Sequence, residues 1–457
     1  MEGFFLKENK MAVYDLVKDY HALGDGKCDD SLPLSRAFAS LNEGDELHIP
    51  SGVYRTAPLS LSVNAVTISF ERGAVLSFID DPKLYPPVAT RWEGVMCHAL
   101  HPCFFIHDCR GVRITGLGVL NGNGKSWWDT AREKKTQTKP ESALEQRLAS
   151  LNPGYESQSG GGGGRASQFL RPPLFQILHA EEVTVEDITL KDSPFWTFHP
   201  VLSKHLAIRN IHIDNPSDAP NTDGIDVDSC QDVEISGCEV HVGDDGIALK
   251  SGAGEDALRV GVPTSHVRIH DCTVRSAHGG AVIGSETGAG INDITVENCL
   301  FDGTDRGIRI KTRRGRAGDI QGLVFRNITM RHTLCPITVN MYYVCGTKDR
   351  SLFALDAVPV TDTTPSIRNV TIEQVKADDV RSSCGFIVGL PECPITGLSL
   401  KDCSFSLAKE LRPVEESEMY GGLPSVEGRG IRLRNVAIHM ENIQGAGPVI
   451  EENVHLD

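Results

Sequence analysis

The sequence predicts an all-β fold: a single-stranded, right-handed parallel β-helix with a short N-terminal capping helix. Three observations lead to this prediction. An eight-residue strand pattern recurs along most of the 457 residues, and the middle of each unit holds a residue type that tolerates a bend. Hairpin signals such as Asn-Gly, which an ordinary β-sandwich would need, are scarce. Repeats of this kind bury their apolar faces by stacking into coils.

The repeated unit reads apolar, any, apolar, any, then Asn, Asp, Gly or Gln, then Cys or aliphatic, any, apolar. Its matches begin at Val112, Val183, Leu206, Val233, Val267, Ile294, Leu323, Val370, Leu398 and Ile431. Alternation with a period of two is typical of a strand with one buried face. The fifth position, for example Gly116, Asp187, Asn210, Asp271 and Asn298, accepts a positive φ, so the chain can bend between two strands of one coil.

The sixth position of the repeat holds cysteine where other repeats have isoleucine. The residues are Cys238, Cys272, Cys299 and Cys403, and we interpret them as small buried hydrophobes because no histidine accompanies them as a metal ligand would require. The chain has 13 cysteines without close CxxC pairing, which favours a reduced protein. The N-terminus shows no apolar run of signal-peptide length, so we expect a cytoplasmic location, or secretion if a signal was removed.

Three stretches depart from the repeat. Residues 12–45 are predicted to be a cap, a polar loop followed by an amphipathic helix, with strand-rich chain beginning at His48. Residues 84–110 and 129–168 break the period, and the second stretch is charged and contains the glycine run Gly160–Gly164. We interpret the second stretch as a surface excursion from one coil, which makes residues 1–457 a single β-helix domain.

The charge balance bears on possible partners. The chain has 61 acidic and 45 basic residues, a formal net charge of -16, which argues against a nucleic-acid partner. The sequence has no uninterrupted apolar stretch of about 18 residues, so we expect no membrane partner. The segment Asp305–Arg316 is the exception to the overall acidity, since it carries six basic residues and predicts a local patch that attracts an anionic ligand. Arg313, Arg314 and Arg316 could equally form a solvated face.

Four segments of consecutive coils align without gaps. They are TDGIDVDS from Thr222, DDGIALKS from Asp244, HGGAVIGS from His278 and DRGIRIKT from Asp305. Segments one coil apart lie side by side in a β-helix. We therefore expect one face to gather three carboxylates, an imidazole and two cations, namely Asp223, Asp244, Asp245, His278, Arg309 and Lys311.

This grouping predicts hydrolytic chemistry. Three carboxylates at such distances cannot all ionise freely, so at least one should have a raised pKa. A protonated acid beside ionised carboxylates suits glycosidic hydrolysis, in which one group protonates the leaving oxygen and another activates water. Arg309 and Lys311 could bind a sugar carboxylate. We assign Asp226 and Asp228, which lie near Lys250 in the alignment, to a structural role.

The same residues resemble those of the polygalacturonases, family 28 of the glycoside hydrolases, and especially the bacterial, exo-polygalacturonase-like branch. The matching segments are Asn221-Thr222-Asp223, Gly243-Asp244-Asp245, His278-Gly279 and Arg309-Ile310-Lys311, and similarity extends to Thr90–Val95, Gly122–Trp128, Ser193–Pro200 and Asn340–Gly346. Two positions depart from the family pattern: Ala277 replaces the first glycine of Gly-His-Gly, and Gly246 stands where a bulkier residue or cysteine is common.

The resemblance implies a pectin-lyase-like solenoid that cleaves α-1,4-galacturonosidic bonds of oligo- or polygalacturonate with inversion, without a cofactor or metal. It implies that Asp244 is the general acid and that Asp223 and Asp245 activate the attacking water. His278 would assist the acid. Its further implication is that Arg309, Lys311, Asn221 and Tyr342 bind the substrate.

Three other functions stay open on the sequence alone. One is hydrolysis of another pectin backbone, rhamnogalacturonan or xylogalacturonan. Another is a calcium-dependent, pectate-lyase-like reaction, in which the aspartates would hold Ca²⁺. The third is a carbohydrate-binding β-helix without activity. Excursions at 84–110 and 129–168 could close one end of a cleft, which favours exo action, and the oligomeric state is not predicted.

Overall fold

The computed structural model describes residues 11–158 and 167–456, so the run Gly160–Gly164 lies outside the described residues. Its strands form a 12-stranded sheet, here sheet 1, a 23-stranded sheet, here sheet 2, and a two-stranded antiparallel hairpin. Each strand of the two large sheets pairs in parallel with its counterpart one coil further on, as in the pairing of Ile225–Asp228 with Asp245–Lys250. The predicted parallel β-helix is confirmed.

Sheet 1 provides one strand to each coil. Its strands are Leu59–Leu61, Phe104–His107, Phe175–Leu178, Phe198–Val201, Ile225–Asp228, Asp245–Lys250, Gly279–Ile283, Arg306–Lys311, Cys335–Asn340, Gly385–Val388, Ile431–Arg434 and Pro448–Ile450.

Sheet 2 contains two rows of strands. The first row consists of Val13–Asp15, Glu46–Ile49, Thr67–Phe70, Arg113–Gly116, Glu181–Glu186, Lys204–Arg209, Gln231–Ser236, Thr264–His270, Ile291–Glu297, Asp319–Arg331, Ser366–Val380, Ile395–Leu407, Val436–Gln444 and Val454–Leu456. The second row consists of Asp25–Asp29, Gly52–Thr56, Ala74–Phe78, Val119–Asn121, Thr189–Lys191, His212–Asp214, Glu239–His241, Thr273–Arg275 and Leu300–Asp302. From Asp319–Arg331 onward one long strand spans both rows.

The bend between the two rows lies at the fifth position of the repeat. The φ angle there is +102° at Gly116, +63° at Asp187, +52° at Asn210, +54° at Asp271 and +56° at Asn298. Glycine and the short polar side chains of Asn and Asp adopt this left-handed conformation at the smallest cost. The repeat therefore specifies the corner of each coil as well as its strands.

The interior is filled by the apolar positions of the repeat. Cys238, Cys272, Cys299 and Cys403 are buried free thiols within the same core cluster as Ile188. This agrees with their interpretation as small hydrophobes.

A column of glycines lets sheet 1 approach the second row of sheet 2. A Cβ added to Gly224 would lie 2.5 Å from Val240 Cγ1, and one added to Gly246 would lie 2.4 Å from Val274 Cγ1. Atoms cannot approach so closely, so a side chain here would push the two sheets apart. The departure at Gly246 thus follows from packing on this coil.

Within the described residues, four α-helices pack on the solenoid: α1 (Ser31–Ser40), α2 (Lys125–Lys134), α3 (Ala143–Leu151) and α4 (Gly254–Val260). Single 3₁₀ turns lie at Pro82–Leu84, Tyr155–Ser157, Arg350–Phe353 and Val414–Ser417. Helix α1 buries Leu34, Ala37 and Phe38 at the first strand of sheet 1. The predicted cap region also contains the strands Val13–Asp15 and Asp25–Asp29, so strand-rich chain begins before His48.

The two interruptions of the repeat pack on one another. Residues 84–110 form the antiparallel hairpin Pro87–Trp92 and Val95–Leu100, and the backbone of His98 exchanges two 2.8 Å hydrogen bonds with the side chain of Asn152, just after α3. The hairpin therefore packs against the described part of the 129–168 excursion. No helix in the described ranges combines the length and the apolar character that a membrane crossing demands.

Candidate active site

The strand register of sheet 1 brings the predicted site residues together. Asp245 lies opposite Gly279, and Gly279 lies opposite Arg306. The amide of Gly224 donates to Asp245 O at 2.9 Å, and the amide of His278 donates to Asp244 O at 2.8 Å. The gap-free alignment of the four segments is confirmed.

Three carboxylates form the centre of this site. Oxygens of Asp223, Asp244 and Asp245 all lie within 4.8 Å of one another. Asp223 and Asp245 are buried, whereas Asp244 is partly exposed. The amide of Asp245 donates to Asp244 Oδ1 at 2.9 Å, which orients the exposed carboxylate relative to the buried pair.

Asp223 is the member of the trio whose ionisation is opposed. Its Oδ1 atom is buried without a hydrogen-bond partner. Burial, followed by the charges of Asp244 and Asp226, raises the pKa of Asp223 well above its usual value. The expectation of one raised carboxyl pKa is confirmed, and it falls on a residue that the resemblance casts as a water activator.

Asp245 has the opposite surroundings. Arg309 Nη1 donates to its Oδ1 at 3.1 Å, and Lys311 Nζ donates to its Oδ2 at 2.5 Å. Burial pushes the pKa of Asp245 upward, but the charges of Lys311 and Arg309 outweigh burial and lower it below the usual value. The site thus holds one carboxylate firmly ionised beside another that resists ionisation.

His278 lies on the coil after Asp244, with its side chain about half exposed. Its Nδ1 atom is 2.7 Å from Asp305 Oδ2. This hydrogen bond, opposed by burial and helped by the charge of Asp244, raises the pKa of His278. The bond to Asp305 thus favours a charged imidazole beside Asp244.

Arg309 and Lys311 are less available to a ligand than the sequence suggested. Both are buried, at 2 % and 5 % exposure. Besides Asp245, Arg309 binds Glu418 through Nε at 3.0 Å and Nη2 at 2.8 Å. All three of its guanidinium nitrogens therefore donate within the protein, and of its five N–H donors only the second ones on Nη1 and Nη2 are left for another acceptor.

The predicted positive patch at Asp305–Arg316 is wrong as a solvated or steering surface. Its arginines are buried, and carboxylates from distant loops neutralise most of them: Arg309 pairs with Glu418, Arg314 with Glu392 and Arg316 with Glu286. Within residues 11–158 and 167–456, Arg313 has no ion pair. Burial, followed by the charge of Arg316, lowers its pKa to about 10.

The two further substrate-binding candidates have different outcomes. Asn221 lies at the site with a φ of +56°, and its Oδ1 accepts a hydrogen bond from Arg171 Nη2 at 2.7 Å. Tyr342 was a wrong choice, because its side chain is fully buried and its hydroxyl donates to Ala354 O at 3.3 Å. The next residue, Tyr343, faces the site instead, with its ring centre 5.6 Å from Arg309 Cζ and 5.2 Å from Lys311 Nζ.

Arg171 contributes to the site although the sequence pattern did not indicate it. It is buried and donates to the carbonyls of Pro194 and Pro220, both at 2.9 Å, as well as to Asn221. Burial lowers its pKa to about 10, and the nearest opposing charges include Glu93 and Asp223. Arg171 lies just before the strand Phe175–Leu178 of sheet 1 and outside the repeat, so periodicity carried no signal for it.

Asp226 and Asp228 were assigned a structural role near Lys250, and the structure gives them different partners. Its Nζ atom lies 3.4 Å from Asp226 Oδ1. Asp228 instead accepts from Arg91 Nη1 at 2.8 Å, because the hairpin carries that arginine over the sheet. The structural role of Asp228 is therefore to anchor the hairpin.

The hairpin borders the site on the side of the earlier coils. Arg91 also donates to Ser229 Oγ at 2.8 Å, Trp92 Nε1 donates to Arg171 O at 3.0 Å, and Ala253 N donates to Gly94 O at 2.9 Å. On the side of the later coils, the segment around Glu418 covers the strand Arg306–Lys311. The carboxylates thus lie between two structures that rise from the sheet.

The spacing of Asp223, Asp244 and Asp245 would also fit a divalent cation. The bond partners argue for another use. Lys311 and Arg309 occupy both oxygens of Asp245, and Lys250 Nζ lies 3.9 Å from Asp223 Oδ2. Cations of the protein already compensate these charges, so the trio fits acid and base catalysis better than metal binding.

Known proteins resemble this chain in sequence and structure. Residues 159–409 match the family described as Glycosyl hydrolases family 28. The chain is 28% identical over 408 residues to a "Probable polygalacturonase" of Vitis vinifera, covering 87% of this chain and 75% of that protein. It is 25% identical over 413 residues to an exo-poly-alpha-D-galacturonosidase of Dickeya chrysanthemi, covering 84% of this chain but 64% of that protein.

Among solved structures, the exopolygalacturonase of Thermotoga maritima aligns with a TM-score of 0.70 at 26% identity, covering 97% of this chain and 91% of that one. A family 28 exopolygalacturonase of Yersinia enterocolitica aligns with a TM-score of 0.73 at 19% identity, covering 98% and 78%, and supports the fold. The family match spans more than half of the chain. The chain belongs to family 28 of the glycosyl hydrolases and is a glycosidase.

Proposed function

We propose that this enzyme hydrolyses α-1,4-galacturonosidic bonds in oligo- or polygalacturonate by acid and base catalysis. The observation that carries the proposal is the contrast within one carboxylate trio. Lys311 and Arg309 keep Asp245 ionised, whereas burial and neighbouring charge oppose the ionisation of Asp223. With charge fixed on one carboxylate of the buried pair, the partly exposed Asp244 can act as the acid while an ionised member of the pair acts as the base.

The general acid is Asp244, because it is the most exposed of the three and can reach a leaving oxygen. Its proton passes to the glycosidic oxygen as the C1–O bond breaks. A water molecule attacks C1 and gives its proton to Asp223 or Asp245, and the C1–OH bond forms. His278, whose charged form the bond to Asp305 favours, assists Asp244 from the next coil.

A galacturonide is favoured as substrate by the cations around the trio. Arg313 has no ion pair among the residues described, and Arg171 has buried guanidinium nitrogens facing Asn221 and the carboxylates. Positive charge in a buried setting stabilises an anionic sugar more strongly than it would in water. Neutral glucans would gain nothing from these groups.

Exo action is supported by the two structures that border the trio. The hairpin is tied to the sheet by Arg91 and backed by the excursion through Asn152, and the segment around Glu418 rises on the opposite side. A cleft limited in this way favours binding a chain end over binding the middle of a polymer. The relatives named above include exo-acting enzymes, which agrees with this proposal.

The decisive experiment is a time course on defined oligogalacturonides of increasing length. We expect monomer to be released from one chain end throughout, and we expect Asp244→Asn to lower kcat/KM by about 10²–10⁴-fold without unfolding the protein. Mixed oligomers from the first minutes would contradict exo action. A product with a new C=C absorbance that disappears with chelator would instead establish a lyase.

The proposed hydrolysis inverts the configuration at C1, and the separation of the carboxyl groups bears on this stereochemistry. Carboxyl groups of inverting enzymes commonly lie about 6.5–9.5 Å apart and those of retaining enzymes about 5–5.5 Å apart. The closest oxygens of the present trio lie within 4.8 Å. Proton NMR of the first product resolves the question: the β anomer from the α-linked substrate indicates inversion, and the α anomer would contradict it.

A further inference from the structure

The ammonium of Lys250 lies at the centre of a buried charge cluster next to the catalytic trio. Its Nζ atom is 3.2 Å from Glu286 Oε2, 3.4 Å from Asp226 Oδ1 and 3.9 Å from Asp223 Oδ2. The ring of Trp196 covers it at 4.5 Å. Burial disfavours the charge of Lys250, but Glu286, Asp226 and Asp223 outweigh burial and raise its pKa well above the usual value.

The carboxylates around Lys250 do not all carry charge. Both oxygens of Asp226 are buried without a hydrogen bond, and burial raises its pKa to about 8, so Asp226 is neutral at neutral pH. Glu286 is ionised, because Lys250 and Arg316 outweigh burial and lower its pKa to about 2. Lys250 therefore compensates the charge of Glu286, and it opposes the burial that disfavours a charge on Asp223.

Arg316 compensates part of the negative charge of Glu286. Its Nη1 atom donates to Glu286 Oε1 at 2.9 Å, on the oxygen opposite the one that faces Lys250. Glu286 is thus shared between two cations, and one positive charge of the group is left over. That surplus faces Asp223 through Lys250.

We infer that Lys250, Glu286 and Arg316 form a positioning network whose net positive charge favours the ionised, base-competent form of Asp223 against burial and the neighbouring carboxylates. The inference rests on the proposed hydrolytic function, in which Asp223 accepts a proton from water. None of the three network residues touches the reacting atoms. The network acts through the charge that it presents to Asp223.

Other charged groups also lie around the Lys250 cluster. Asp244 and Asp245 lie beside Asp223 in the trio, and Lys311 lies near Glu286. Arg171 and Glu93 approach Asp223 from the earlier coils. Below the hairpin, a further group consists of Arg91, Asp228 and His199. These groups stay in place when the network is altered. The effect of each network variant can therefore be read as a change in one charge.

The test is the acid limb of the pH profile of kcat/KM, which reports the essential base of the free enzyme. Lys250→Met removes the positive charge and should move the limb upward by about one to three pH units. In Arg316→Met, Glu286 offsets more of the positive charge of Lys250. The acid limb should therefore move upward by a smaller amount, on the order of half a pH unit. Glu286→Gln should move it downward.

Opposite signs separate this inference from a merely structural role. Damage to packing would lower stability in all three variants without shifting the limb in two directions. Lys250→Arg, which keeps the charge, should return the limb to its wild-type position even if kcat falls. Arg314→Met is a matched control, because it also breaks a buried pair, with Glu392, and should lower stability with the limb unchanged.

An infrared titration tests the network without turnover. The carbonyl band of protonated Asp223 is identified by its loss in Asp223→Asn. This band should titrate at higher pH in Lys250→Met and at lower pH in Glu286→Gln. Absence of hydrolysis by the wild-type protein would overturn the proposed function and leave this titration as the test of the network. If Lys250→Met leaves both the titration of the Asp223 band and the acid limb of kcat/KM at their wild-type pH, the proposed network is wrong.

Discussion

The outward faces of the two sheets carry charges at similar spacing but under different conditions. On sheet 2, Arg209 Nη2 lies 2.6 Å from Glu234 Oε2, and the two side chains are 45% and 37% exposed. On sheet 1, Arg309 Nη2 lies 2.8 Å from Glu418 Oε1, and the side chains are 2% and 0% exposed. The same kind of contact therefore lies in water on one face and inside the protein on the other.

The hairpin and the late loops cause this difference. They cover the outward face of sheet 1 and leave that of sheet 2 open. Covering desolvates charges that the strands place in columns, and desolvated charges act strongly on one another. The divergent pKa shifts of Asp223 and Asp245 arise on the covered face, whereas exposed ladders on the open face contribute little beyond solubility.

Breaking the buried pair should give the largest effect on stability. Arg309→Met leaves Glu418 and Asp245 in a buried site without their shared cation. Removing one partner of a buried ion pair costs about 3–5 kcal/mol, and we expect a loss of this size in the free energy of unfolding measured with urea at pH 7. A loss below about 1 kcal/mol would place this pair with the exposed ones and contradict the comparison.

The columns of sheet 1 were predictable because they lie within the repeat. Asp223 and Asp245 align through glycines that four consecutive coils share, and a register without gaps follows from equal strand positions. The corners were predictable for a related reason, since positions such as Asn210 and Asp271 need a residue that tolerates a positive φ. Periodic sequence specifies periodic structure.

The partners of those columns were not predictable, because they come from segments without a period. Glu418 reaches Arg309 from 109 positions away, and Arg91 reaches Asp228 from 137 positions away. Loop contacts of this kind depend on how covering segments fold, which a single sequence does not reveal. The same limit explains the choice of Tyr342 over Tyr343, since both lie beyond the end of a strand where alternation no longer specifies direction.

Replacing a buried carboxyl on the covered face by a neutral amide should increase the free energy of unfolding, whereas Arg309→Met should decrease it. Burial raises the folded-state pKa of Asp226 to about 8, so the wild-type protein loses stability as the pH rises from the unfolded value, near 4, to about 8. Asp226→Asn removes this loss. We expect a gain of about 1–4 kcal/mol at pH 7, from ~1.4 kcal/mol for each displaced unit.

The pH dependence of thermal unfolding checks this prediction for Asp226→Asn. The advantage of the variant over the wild type should grow between pH 4 and 8 and vanish below pH 4, where Asp226 is protonated in both states. An advantage that is the same at every pH would show that packing, and not ionisation, is responsible.

The smallest effect is expected on the open face, where the pair Arg209–Glu234 is the exposed counterpart of Arg309–Glu418. Arg209→Met should change the free energy of unfolding by about 0.2–1 kcal/mol, because water screens both charges. Raising the ionic strength should reduce this difference further, while the effect of Arg309→Met should persist because salt does not enter the buried site. A salt-independent loss of several kcal/mol in Arg209→Met would show that the ladders of sheet 2 stabilise the solenoid as strongly as the covered face does. Covering by the hairpin and loops would then no longer explain why the strong charge coupling is confined to sheet 1.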